Sequence, residues 1–142
     1  METVKIYLSG GMTGINFEEQ SKWRQQIQDA IRFGDYDYTK KPVFFNPVQY
    51  YNFEEVRHKS EREAMEFDLN GLRKSDLVIV NFNNPKSIGT AMELMLAKER
   101  NIPIIGWNPS GEPLHPWLTE CVIRMCDNLR EVVEHTVEFY LN

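Results

Sequence analysis

Leu77-Val-Ile-Val-Asn-Phe82 decides the architecture, because its apolar residues follow one another instead of alternating with polar ones. A strand with one wet face alternates, whereas an unbroken run rich in β-branched residues reads as a strand covered on both faces, the usual condition of a parallel sheet. Ser75-Asp76 separates it from an upstream helix that opens on the capping box Ser60-Glu-Arg-Glu63 and carries Ala64, Met65, Phe67, Leu69 and Leu72. Downstream, Asn83-Asn-Pro-Lys-Ser-Ile-Gly89 reads as a turn, residues Thr90 to Arg100 as a helix, and Ile102-Pro-Ile-Ile-Gly-Trp107 as the next strand.

The flanks repeat this alternation. Val4-Lys-Ile-Tyr-Leu8 reads as a strand, broken by the loop Ser9-Gly-Gly-Met-Thr-Gly14. Asn16 then caps a helix with Glu19 at its third position and Trp23, Ile27, Ala30 and Ile31 at helical spacing, until Gly34 ends it. Lys41-Pro-Val-Phe-Phe-Asn-Pro47 suits a strand and a turn, and Val122-Ile-Arg-Met125 a last short strand. Leu129, Val132, Val133, Val137 and Tyr140 trace the stripe of a final helix, while Tyr50 to Lys59 receives no assignment. The pattern predicts one α/β domain over residues 1–142: a five-stranded parallel sheet with helices on both faces. Ligands of such sheets sit beyond the carboxyl ends of the strands, where the glycine loop and the Asn81–Gly89 loop belong.

A chain of 142 residues can bury a core without disulfides or metals, and 42% hydrophobic with 26% charged residues is ordinary globular composition. The net charge of −5, with no basic cluster to track a phosphate backbone, argues against a nucleic-acid polymer as partner. No apolar run approaches the ~20 residues that cross a bilayer, and Met1-Glu-Thr-Val-Lys-Ile-Tyr-Leu8 does not read as a signal peptide, so a cytoplasmic protein is expected. Cys121 and Cys126 match neither a disulfide framework nor a zinc pattern and read as buried thiols. His58, His115 and His135 show no ligand spacing, so neither a metal nor another cofactor is expected.

Two acids stand out. Glu93 is the only charge within Ala91-Met-Glu-Leu-Met-Leu-Ala97, on a helix expected to pack on the sheet. There it is paired, protonated or facing a cavity, unless the helix turns it to solvent. Asp68 is spaced four residues from both Ala64 and Leu72, which sets it on the core-facing stripe. Paired carboxylates at the loop edge of a sheet suit glycosyl chemistry, one attacking the anomeric carbon and one handling a proton. Asp76 directly precedes a strand and reads as a turn or cap residue. Tyr7, near the end of the first strand, is either a core aromatic or a hydrogen-bond donor to a carboxylate. Gly10, Gly11 and Gly14 depart from GxGxxG and precede no GK[ST], so they form either a tight turn or a small-ligand loop. Ser87 caps the helix of Glu93 or binds an anion there.

Lys5-Ile-Tyr-Leu-Ser-Gly-Gly-Met-Thr-Gly14, Asp68-Leu-Asn-Gly-Leu72, Ser75-Asp-Leu-Val-Ile-Val80 and Ser87-Ile-Gly-Thr-Ala-Met-Glu-Leu94, in this order, resemble the nucleoside 2-deoxyribosyltransferase family, which includes deoxynucleoside 5′-monophosphate N-glycosidases. The resemblance implies a flavodoxin-like, Rossmann-like three-layer sandwich. By position it makes Glu93 the nucleophile that forms a deoxyribosyl ester, Asp68 the acid that contacts base or sugar and assists proton transfer, and Tyr7 the residue positioning Glu93. Six residues before Glu93, bacterial-type transferases carry an aspartate that serves the nucleobase; Ser87 stands here and resembles the monophosphate hydrolases, in which it helps bind the 5′-phosphate. Ser9, Gly10, Gly11 and Thr13 of the loop, with Gly89, would add hydroxyls and amides, although the arginine expected in the loop of those hydrolases is missing. The family completes its site with a neighbouring subunit, which implies a homodimer or higher homo-oligomer, with Leu114-His-Pro-Trp-Leu118 and its His115 reaching the neighbour's site and Tyr140 near the terminus. The resemblance thus implies an enzyme that cleaves the N-glycosidic bond of a 2′-deoxyribonucleoside or its 5′-monophosphate and passes the sugar to another base or to water. Its rivals are a non-catalytic nucleotide-binding or sensing module and a structural subunit with solvated acids.

Overall fold

The computed structural model, which describes residues 1–50 and 58–142, alternates strand and helix from end to end. In chain order the elements are β1 (Thr3–Gly10), α1 (Phe17–Phe33), β2 (Lys41–Phe45), a 3₁₀ turn (Pro47–Tyr50), α2 (Glu61–Arg73), β3 (Leu77–Asn81), α3 (Ile88–Glu99), β4 (Ile104–Trp107), α4 (Pro116–Cys121), β5 (Arg124–Cys126) and α5 (Leu129–Tyr140). The five strands form one parallel sheet in the order β2-β1-β3-β4-β5. After β1 the chain adds β2 on one side and then returns to add β3 on the other, so the topological switch lies between β1 and β3.

Every residue of β3 is buried, as its unbroken apolar run requires. Its alternate residues feed two cores. Leu77 and Ile79 meet Ile6 and Leu8 of β1, Trp23, Ile27 and Ile31 of α1, and Val132, Val133 and Val137 of α5. Val78 and Val80 meet Tyr7 of β1, Leu72 of α2, and Leu94 and Ala97 of α3. The sheet therefore carries α1 and α5 on one face and α2, α3 and α4 on the other.

Side-chain caps start the helices where polar residues precede apolar periodicity. Asn16 Oδ1 accepts from the Glu19 amide at 2.8 Å, Ser60 Oγ from the Glu63 amide at 3.1 Å, and Asn128 Oδ1 from the Glu131 amide at 2.9 Å. Glu63 reaches back to the amide of Lys59 at 3.3 Å, one residue before the cap, a displaced version of the expected capping box. The buried thiols expected at Cys121 and Cys126 are found. No helix among the described residues is long and apolar enough to cross a membrane.

β1 runs on to Gly10, through the first two residues of the expected loop, while α3 starts at Ile88 and β4 at Ile104, each two residues from expectation. Two further elements differ. A short helix, α4, occupies Pro116–Cys121, outside the elements that the sequence pattern predicts; six residues are too few for periodicity to register, and its cap is a histidine. The last strand begins at Arg124, not Val122, because the Val122 amide is held by the Thr119 carbonyl at 3.2 Å, closing α4.

Ile79 sits on the central strand with no exposed surface. Ile79→Ala should cost about 2–5 kcal/mol through lost burial and a residual cavity. Urea unfolding checks this as a lower midpoint at an unchanged m-value.

Candidate active site

Strand alternation places the candidate residues. Ile6 and Leu8 of β1 enter the core beneath α1 and α5, which turns Tyr7 and Ser9 towards α3. On α3, Leu94 and Ala97 anchor the helix in that second core, and Glu93 precedes Leu94 at its edge. The Tyr7 hydroxyl donates to Glu93 Oε2, and Ser9 Oγ donates to Glu93 Oε1 at 3.2 Å. Both oxygens of one carboxylate are thus held from the end of one strand. The Tyr7 ring is itself fixed, stacked on Phe45 of β2 with centroids 5.2 Å apart and planes 11° apart, while Phe45 leans on Phe67 of α2 at 5.7 Å.

Burial is the main reason the Glu93 carboxyl is pushed up to about 7. The hydrogen bond from Tyr7 works against burial, the negative charge of Asp68 on α2 adds to it, and the positive charge of Arg24 on α1 and the Ser9 hydrogen bond oppose it. Tyr7 is driven well above the ordinary tyrosine value by burial, then by the charges of Glu93 and Asp68. Near neutral pH the phenol therefore keeps its proton and donates it, while Glu93 is divided between its two forms. Asp68 lies between Ala64 and Leu72 on the buried stripe of α2 and senses both Tyr7 and Glu93, so the structure brings Tyr7, Asp68 and Glu93 into one electrostatic cluster.

The glycine loop borders this cluster. A Cβ at Gly10 would lie 2.7 Å from the Trp23 ring, and Gly14 has φ +78, so one position demands close approach and the other a left-handed backbone. Asn83, on the loop after β3, grips Gly11 from both sides of its peptide. Its Oδ1 accepts from the Gly11 amide at 2.9 Å and its Nδ2 donates to the Gly11 carbonyl at 3.4 Å. The two loops that flank the β1/β3 switch are thereby tied together.

The remaining residues separate. Ser87 caps α3: its Oγ accepts from the Thr90 amide at 3.3 Å and the Thr90 hydroxyl at 2.9 Å, which leaves its own proton to be donated elsewhere. A side chain at Gly89 would meet nothing within 4 Å, so that position opens onto space beside the cap. Thr13 is exposed on the loop. His115 is exposed as well, its Nδ1 accepting from the Trp117 amide at 3.1 Å to cap α4 and its ring set edge-on to Trp117. Asp76 accepts from the Lys5 amide at 2.9 Å at the opposite, amino-terminal end of the sheet, as its turn reading implied.

Three contributors escaped the sequence reading: Phe45, Asn83 and Arg24. Phe45 read as an ordinary strand aromatic and Asn83 as a turn residue. Arg24 sits within a helix between Trp23 and Ile27, where only the helical projection onto the buried face could have flagged it.

Residues 4–106 match the family described as Domain of unknown function (DUF4406). No curated protein matches the chain. Among solved structures, the chain is similar to the 2-deoxyribosyltransferase of Bacillus psychrosaccharolyticus, with TM-score 0.69 and 21% identity, covering 92% of this chain and 90% of that one. A conserved protein from Enterococcus faecalis V583 gives TM-score 0.72 at 13% identity over 93% and 96% of the two chains. The CMP N-glycosidase BcmB of Clostridium botulinum gives 0.57 at 14% identity over 92% and 96%. The resemblance read from the ordered motifs is borne out as a shared fold.

A carboxyl whose pKa is raised on folding favours the native state at low pH and loses that contribution as pH climbs through its folded value. For Glu93 the loss falls between about 4.5 and about 7. Glu93→Gln should therefore raise stability at pH 8 by on the order of 1–3 kcal/mol and by much less at pH 4. Thermal melts of both proteins at the two pH values check this.

Proposed function

The chain belongs to the DUF4406 family, and from the site assembled at its β1/β3 switch we propose that it cleaves the N-glycosidic bond of 2′-deoxyribonucleosides or their 5′-monophosphates. The observation that carries this reading is a single carboxylate, Glu93, hydrogen-bonded on both oxygens by Tyr7 and Ser9 and close enough to Asp68 to feel its charge. A carboxylate so fixed and partly desolvated suits attack on an anomeric carbon.

In the proposed reaction the ionised Glu93 attacks C1′ while the C1′–N bond breaks, and the base departs with the electron pair and takes up a proton with the help of Asp68. The ester that forms leaves Tyr7 and Ser9 donating to what was the carboxylate, so the same bonds stabilise Glu93 when it becomes the leaving group. A second base or a water then attacks C1′ from the face the first base left, and two inversions give net retention. The similarity in fold to a 2-deoxyribosyltransferase and to a CMP N-glycosidase supports this class of chemistry.

A second reading, strict hydrolysis of a nucleoside 5′-monophosphate, is favoured by Ser87. Its free proton and the amino terminus of the twelve-residue α3 offer donors to a phosphate beside the open position at Gly89. Ser9 is less suited to that task than the sequence implied, since its hydroxyl is already given to Glu93. The non-catalytic alternative has no need of a tyrosine and a serine converging on one glutamate.

We further propose a homodimer or higher oligomer. Ile88 is 77% exposed and Met92 51%, on neighbouring turns of the helix that bears Glu93, and Trp117 on α4 is 73% exposed. Apolar groups of this size left in water beside a candidate site suit burial by a second copy, which brings His115 within reach of the neighbour. Sedimentation should report at least a dimer, and Met92→Glu should shift it towards monomer with loss of activity.

Chromatography of a panel of ribo- and deoxynucleosides, each with and without 5′-phosphate, should show base release, and a second free base separates transfer from hydrolysis. Glu93→Ala should lower turnover by at least about 10³-fold. Acid-quenched enzyme should carry a pentosyl ester on the peptide containing Glu93. The kcat/KM profile should rise with pH through about 7, as Glu93 ionises. Near-normal turnover by Glu93→Ala rejects the nucleophile.

A further inference from the structure

Arg24 is a cation with no exposed surface, set in the layer opposite Glu93. None of the ion pairs among the described residues includes it. Its guanidinium lies 4.4 Å from the Trp23 ring and donates to three carbonyls: Gln20 at 2.8 Å, Leu8 at 3.3 Å and Gly10 at 3.3 Å. The last two have a structural reason. β2 ends at Phe45, opposite Tyr7, so Leu8, Ser9 and Gly10 overhang their neighbour on that side. Leu8 and Gly10, of equal parity, turn their carbonyls to Arg24, and Ser9 between them turns its hydroxyl to Glu93.

Carbonyls alone do not require a full positive charge in a dry core, because a neutral donor would satisfy them without the cost of burying an ion. The compensating negative charge lies across the strand. Tyr7 and Ser9 face Glu93 from β1, Asp68 adds its negative charge from α2, and the positive charge of Arg24 opposes burial and Asp68 at Glu93. Arg24, one strand's thickness away through Leu8–Gly10, offsets the two acids from behind. Burial lowers its own pKa to about 10, opposed by Glu93, Tyr7 and Asp68, so it stays charged over the range in which Glu93 titrates.

We propose that Arg24 is a positioning residue acting through the sheet: it clamps the β1 overhang that carries Ser9 and supplies the counter-charge that keeps Glu93 ionised. The proposal rests on the reading of Glu93 as nucleophile for its catalytic meaning, but the coupling itself needs no substrate to be measured.

The test uses the full chain with ¹³C-labelled glutamate, the Glu93 carboxyl resonance being identified by its loss in Glu93→Gln. In Arg24→Met and Arg24→Gln the Glu93 midpoint should move up by about one pH unit, a tenfold rise in proton affinity, and the acid limb of kcat/KM should move with it. Arg24→Lys, which keeps the charge and loses the fork, should hold the midpoint near its parent value while kcat falls. An unmoved midpoint in the neutral variants overturns the proposal, whatever happens to thermal stability. Should both neutral variants fail to fold, the ¹⁵Nε resonance of Arg24 in the parent protein decides. It should titrate with the Glu93 midpoint, and a flat response from pH 5 to 9 overturns the proposal. Absence of base release by the parent protein would reject the glycosidase reading alone, leaving both resonance titrations to judge the coupling.

Discussion

The hydrogen bond from Tyr7 to Glu93 spans the gap between the first strand and the third helix, and the arrangement of the site follows from what each partner requires. A carboxylate at the rim of a core is costly unless donors replace the water it gave up. Tyr7 and Ser9 supply those donors from alternate positions of one strand, so the pleat of β1 serves both oxygens of the same group. Phe45 holds the tyrosine ring, Asn83 ties the following loop to the loop after β3, and the buried arginine secures the strand's free end from beneath.

These contacts work against one another to a useful extent. Burial and Asp68 push Glu93 towards its neutral form, while hydrogen bonds and Arg24 push it towards the anion, and the balance falls near neutrality. A carboxylate poised there is a better nucleophile than a fully hydrated one and a better leaving group than a wholly unsupported one. Folding carries the cost, because at neutral pH the native state must accommodate a partly desolvated negative charge.

The sheet order makes the site possible. Adding β2 to one side of β1 and β3 to the other opens a crevice at the carboxyl ends of the two central strands, flanked by loops that have no strand to cover them. Glycine at position 10 lets Trp23 close against the strand there, and the positive φ at Gly14 turns the chain into α1. Ile88 and Met92, exposed apolar side chains, lie on the same helix as Glu93.

Much of this was legible in one dimension. The unbroken run of β3, the capped helices and the strand–helix alternation required a parallel sheet covered on both faces, because hydrophobic periodicity and side-chain caps act over a few residues and are written where they act. Asp68 and Glu93 were conspicuous for the same reason, as charges on stripes meant for the core. Only the tertiary structure decided that Ser9 serves Glu93, that Asn83 grips Gly11, and that Arg24 stands behind the acids with β1 between them. Such partnerships join residues tens of positions apart or on opposite faces of a sheet, and a local pattern carries no record of the side chain that fills the space across a strand.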